Sequence, residues 1–148
     1  MALMHGDLTD EEFIETFEEA AFAPTEFPHE AHLRMAWIYV RHFGRAGAVE
    51  RATAGIRRLA AAHGHAHRYH DTMTRAWVYL IAVHVDHSPA AGFEAFLDAS
   101  SDLRDRSLLL RHYTPTALSS PSARAGWVAP DSRPIPGAPS MAAQPRGA

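Results

Sequence analysis

Two short stretches hold most of the side chains that can do chemistry: Pro28-His29-Glu30-Ala31-His32 and Tyr69-His70-Asp71-Thr72-Met73-Thr74. His29 and His32 are three apart, a spacing that stacks both imidazoles on one helix face. His70, Thr74, Trp77, Ile81 and His84 also fall on one helical stripe, because seven residues return an ideal helix to within about 20° of its start. If the two segments pack side by side and roughly parallel, His29, His32 and His70 converge. Three neutral imidazoles with open positions suit zinc, iron or copper, and nickel as well. The His-Glu-Ala-His spacing is one residue short of the zinc-protease pattern, so that activity is not inferred.

Other residues take supporting roles in this scheme. Thr72, Thr74 and Asp71 can orient an imidazole through its second nitrogen. Glu30 is the nearest candidate base, although it lies about 100° from His29 around an ideal helix. Trp37, Tyr39 and Trp77 can wall a small-molecule pocket beside the metal, or be ordinary core aromatics. Glu12, Glu15 or Glu19 could turn inward as a carboxylate ligand. The plainer reading of that acidic run is a solvated face with acids favoured near a helix N-terminus. His84 can equally be a core histidine. His42, His87 and His112 suit helix ends. His63, His65 and His67 lie in a Gly-containing loop that can pick up metal adventitiously.

Composition narrows the classes. The chain has 148 residues, eleven histidines, no cysteine and a net charge of -3. Thiolate sites, disulfides and iron–sulfur clusters are excluded. The charge gives no nucleic-acid footprint. All 14 basic residues are Arg. Met1–Thr9 lacks the regions of a signal peptide. The longest apolar run, 76–85, is about half of what a membrane span needs. A cytoplasmic location is therefore expected.

The elements that must position these residues are helical. Leu8-Thr9-Asp10-Glu11-Glu12-Phe13 reads as a helix start with a Thr9/Glu12 capping box and a Leu8–Phe13 staple. Phe13, Phe17 and Ala21 continue as an apolar stripe, with Ile14 beside them. A second helix spans about 28–43 and stops at Gly44. A third covers about 46–63, with Gly55 inside it costing ~1 kcal/mol relative to Ala. The fourth, from about 69–72 to 87, is apolar nearly all round and should be central. A fifth spans about 90–99, and a sixth runs from Ser101 or Asp102 to Tyr113. Ser119-Ser120-Pro121 starts a short turn of helix through Ala125. The fold expected is all-α, an irregular four-helix bundle with extra short helices. It occupies residues 1–131, followed by a Pro/Ala-rich flexible tail, 132–148. Arg124 and Asp131, late and non-helical, could cover the site or pair at the surface.

The stretches 27–37, Phe27-Pro28-His29 through Met35-Ala36-Trp37, and 69–77, Tyr69-His70 through Ala76-Trp77, resemble a family of small, uncharacterised bacterial proteins. Leu118-Ser119-Ser120-Pro121 through Ala129-Pro130-Asp131 resembles that family's C-terminal region. The resemblance covers most of residues 10 to 131 and implies no activity. A looser similarity, of architecture alone, is to DinB-type bundles that hold a metal with three helical histidines; the spacing here differs.

The leading expectation is a small metal-dependent enzyme with His29, His32 and His70 as ligands. Oxidation, elimination and hydrolysis all remain open. The alternatives are a non-catalytic module binding metal or another ligand, and an interaction protein docking through its acidic first helix. A small-molecule substrate is the expected partner. A homodimer is left open, and neither nucleic acid nor membrane is expected.

Overall fold

A computed structural model describes residues 4–140, which contain helices and turns and no strand. The helices are α1 (Asp10–Glu18), α2 (His29–Ala62), α3 (Asp71–His87), α4 (Phe93–Ala99), α5 (Pro115–Leu118) and α6 (Pro121–Ala125). No helix among the described residues is long and apolar enough to cross a membrane.

The capping box at the start of α1 forms as the sequence requires. The Glu12 amide donates to Thr9 Oγ1 at 3.1 Å, and the Thr9 amide to Glu12 Oε1 at 2.9 Å. Phe13 and Phe17 are fully buried and stack on Phe27 at 6.0 and 5.2 Å, with Phe22 tilted against Phe13 and Phe27 at 5.4 and 5.5 Å. Ala21 does not continue their stripe; it is exposed. The helix has already closed, because the Ala20 amide donates to the Phe17 carbonyl and that of Ala21 to Thr16. This closure places Ala20 at φ 54°, the left-handed position that Gly usually fills.

One run of helical hydrogen bonding covers α2, but Gly44 inside it has φ 72° and ψ 179°. That break folds the helix into two arms. Tyr39 and Arg51 line the same cleft, whereas twelve residues of unbroken helix would separate them by about 18 Å. The first arm runs parallel to α3: His29 meets Trp77, Trp37 and Val85 share a cleft, and Arg41 donates to the Ala91 carbonyl. The second arm runs antiparallel, with Arg57 on Asp71 and Arg45 electrostatically coupled to Tyr79. Two α2 arms, α3 and the shorter α1 thus make the four rods of the bundle.

Trp37, Val78, Ile81, Phe96, Leu97, Leu103, Leu109 and Tyr113 form the heart of the core. The expected sixth helix is instead two 3-10 turns, Ser101–Arg104 and Leu108–Arg111. Between them, Asp105 Oδ1 accepts from both the amide and the hydroxyl of Ser107. That local pairing competes with helical hydrogen bonds and diverts the backbone. Residues 126–140 strap the bundle. Trp127 packs edge-on to Tyr79 at 5.2 Å, and Ile135 is 2 % exposed. The first part of the expected tail, 132–140, therefore lies on the domain; residues 141–148 fall outside the described residues.

Candidate functional site

At the start of α2, Pro28 provides an extended N-cap and frees His29 to open the helix. The His29 ring donates from Nε2 to the Leu103 carbonyl at 2.9 Å and sits edge-on to Trp77 at 4.7 Å. His32 donates from Nδ1 to the Pro28 carbonyl at 3.1 Å, with its ring against Phe27. Glu30 lies within electrostatic reach of His5 in the N-terminal turn.

His70 is the N-cap of α3. Its Nδ1 accepts from the Met73 amide at 3.1 Å, so Nε2 carries the proton and donates to the Leu118 carbonyl at 2.7 Å. Both ring nitrogens are thereby engaged, and the Nδ1 lone pair serves the helix. The Thr74 hydroxyl donates to the His70 carbonyl at 2.8 Å. Thr72 is fully buried; its hydroxyl donates to the Gly126 carbonyl at 2.6 Å and accepts from the Val128 amide at 3.0 Å. Thr72 and Thr74 therefore hold backbone rather than an imidazole ring.

The three histidines do not gather. Among the described residues, no group of three or more His, Asp or Glu side chains is placed to hold a metal ion. The first arm of α2 and α3 do run parallel, but with an axial offset. His29 lies level with Trp77, two helical turns, or about 10 Å, past His70. As arranged, His29, His32 and His70 do not fit a shared metal centre. Each ring instead donates to a backbone carbonyl, two of them in the C-terminal third of the chain.

The three aromatics also part company. Trp37 is buried beneath Arg41, whose guanidinium stacks on it at 4.5 Å, beside a cleft of about 290 Å³ between the first arm of α2 and the α3–α4 connection. Tyr39 opens on the opposite side, donating to Glu18 Oε2 at 2.6 Å in a second cleft of about 340 Å³. Trp77 stays with His29.

The acids of α1 do not turn inward: Glu12 closes the cap, and Glu15 and Glu19 are exposed. His63 donates to the Phe22 carbonyl at 2.6 Å, while the rings of His65 and His67 stand 6.4 Å apart. His84 donates to the Leu80 carbonyl and lies 3.4 Å from Asp102, an ion pair only when the ring is protonated. His112 does stand at a helix end, as C-cap of the 3-10 turn Leu108–Arg111, but it is 8 % exposed and donates to the Arg133 carbonyl. His42 and His87 are exposed, as helix-end residues should be. Arg124, expected outside any helix, lies on α6 and donates to the Arg68 carbonyl, and Asp131 receives the amide and hydroxyl of Thr114. The two are therefore not paired with each other.

Two charged residues act as anchors: Arg34, which no sequence signal singled out, and Asp71, which holds arginines and a phenol rather than orienting an imidazole. Buried Arg34 donates to the carbonyls of His5 and Leu8 and to Asp10, and lies 4.7 Å over the Phe13 ring. Buried Asp71 receives Arg57, Arg75 at 2.6 Å and the Tyr69 hydroxyl at 2.7 Å. Burial, and then this bond to Asp71, push the Tyr69 phenol above its ordinary pKa, so it remains a donor. Comparison with family models, curated proteins and solved structures finds no match to the chain.

Proposed function

We propose that the protein is a non-catalytic interaction module that docks a basic partner on the outer face of α1. The supporting observation is where the acids sit on a helix this short. Acids near a helix N-terminus are stabilising and need no further reason. Yet α1 has only nine residues, so Glu15 and Glu18 occupy its last turn and Glu19 its C-cap, with no basic residue in that turn. There they oppose the helix dipole. Glu11, Glu15 and Glu19 are also spaced four apart, an arrangement of like charges that costs a few tenths of a kcal/mol per pair.

Glu18 finds Tyr39, but Glu11, Glu15 and Glu19 are exposed, and their carboxylates make no hydrogen bond or ion pair among the described residues. Their sequence setting reinforces this. The first 33 residues hold nine acids and no Arg, leaving eight acids against fourteen arginines in the rest. A surface of one sign speeds encounter with a partner of the other.

A photo-crosslinking residue at Thr16, introduced into the full chain in its host, should capture a partner with a basic patch. Purified partner should then bind at least tenfold more weakly to a Glu15→Gln/Glu19→Gln variant, with affinity falling as salt rises. Unchanged binding by the variant, or no crosslink from this face, would overturn the proposal.

The metal-dependent enzyme remains the competing reading and draws no support from the arrangement of His29, His32 and His70. Elemental analysis of untagged protein, beside a variant with all three changed to Ala, separates the two. A stoichiometric transition metal lost in a folded variant would restore the enzyme reading.

A further inference from the structure

The second cleft, between the end of α1 and the two arms of α2, is lined by Glu18, Tyr39, Glu50, Arg51, Ala54 and Arg58. It uses none of the histidines and none of the acids on the proposed docking face. At about 340 Å³ it falls at the lower end of the range for small-molecule sites. Charges of both signs share its walls, but no ion pair forms between the carboxylates of Glu18 or Glu50 and the guanidiniums of Arg51 or Arg58 among the described residues. Free surface charges so close in one cleft would be expected to collapse onto one another.

Here other contacts hold them apart. Arg51 stacks over the Phe43 ring at 3.8 Å, which fixes the plane of the guanidinium and leaves its N–H edge free. Arg58 donates to the Glu18 carbonyl at 3.0 Å, satisfying the C-terminal end of α1. The buried Tyr39 hydroxyl fixes the Glu18 carboxylate at 2.6 Å. Arg51 and Arg58 are seven apart and so share one face of the second arm. The fold-back at Gly44 brings Tyr39 opposite them.

We propose that this cleft binds a small zwitterion of the α-amino-acid class, its carboxylate on Arg51 and Arg58 and its ammonium on Glu50. Two positive and two negative side chains cancel, which selects a net-neutral dipolar ligand. A phosphate would face Glu18 and Glu50 as well as the arginines, and a polyamine would face both arginines. Pairing a planar carboxylate with guanidinium gives the strongest and most directional of these contacts.

The test is titration of the full-length, isotope-labelled protein with each common amino acid at millimolar concentration, followed by amide NMR. Inorganic phosphate and putrescine serve as single-sign probes. A subset of amino acids should give saturable shifts at Tyr39 and Ala54, and neither single-sign probe should. Arg51→Gln and Glu50→Gln, both at exposed positions and checked for fold by circular dichroism, should each weaken binding at least tenfold. Asp86→Asn, at an exposed position on α3, should leave it unchanged. The proposal is overturned if no amino acid saturates these amides, if phosphate or putrescine alone does so equally well, or if both cleft variants bind like the native chain.

Discussion

The ring of Phe17 occupies the space that a β-carbon on Gly55 would need. An added Cβ would lie 2.3 Å from Phe17 Cε2 and 2.5 Å from Cζ. Phe17 is fully buried and stacked on Phe27 at 5.2 Å, so it has little freedom to withdraw. Helix propensity alone says Gly55→Ala gains about 1 kcal/mol. Overpacking a filled core costs about 1–3 kcal/mol. The clash should win, with a net loss of about 1 kcal/mol in urea denaturation. A stabilised variant would mean that α1 does not pack as described.

The reverse holds at Ala20. Its left-handed backbone, φ 54°, carries a strain of roughly 1 kcal/mol that Gly does not feel. Ala20→Gly should raise stability by about 0.5 kcal/mol or more in the same denaturation experiment, after the extra entropy of Gly in the unfolded chain.

His70 links two kinds of stability. Replacement by Ala removes an N-cap, worth about 1 kcal/mol, and a bond to Leu118, worth about as much again. Asn can restore the cap but is too short to reach Leu118, so His70→Asn should lose about half as much. Equal losses for both variants would sink the capping role. In the metal-ligand reading, both substitutions would remove the metal.

Thr72 should be less tolerant. Thr72→Val keeps the shape but leaves the Gly126 carbonyl and Val128 amide without their partner. Each buried orphan costs about 1–3 kcal/mol. The loss should exceed 2 kcal/mol by denaturation and fall largely away in Thr72→Ser.

Acid should loosen the N-terminal turn first. Burial, and then the Arg34 guanidinium, hold the His5 pKa below its ordinary value. Its Nδ1 is buried without a partner. Between the ordinary and the lowered pKa the unfolded chain binds more protons, so stability rises with pH there and falls on acidification below about 6.5. The protection factors of the residue 5–8 amides, exchange rates taken relative to the unfolded chain at the same pH, should fall in that window, and His5→Gln should abolish the effect. The same fall in the variant would assign it elsewhere.

Much of this fold can be read locally. The Thr9 cap, the break at Gly44 and the burial of α3 all follow from residues within a turn or two of the feature. The all-α class follows from their sum. The Thr114-Pro115 start of α5 was equally available, since the Thr114 hydroxyl accepts from the Ala117 amide. Axial offset was not legible. Periodicity says which face a residue takes, and it says nothing of whether His29 stands level with His70 or with Trp77. The candidate site depended on that offset. The cleft of Arg51 and Arg58 was hidden for a related reason: it exists only once the Gly44 bend brings Tyr39 across.

That bend also sets an order of assembly. Arg57 and Asp71 meet across 14 residues, so the second arm and α3 can zip as a local hairpin. His29 and Trp77 are 48 positions apart, and the first arm can dock only after the chain reverses at Gly44. The strap, reaching from Leu118 back to His70, closes a loop of similar span. Long loops make late contacts, because their closure entropy must be overcome before they gain from packing. In pulsed hydrogen exchange during refolding, the amides of residues 49–60 and 72–82 should gain protection before those of 31–40. Simultaneous protection would instead make the whole bundle a single cooperative unit.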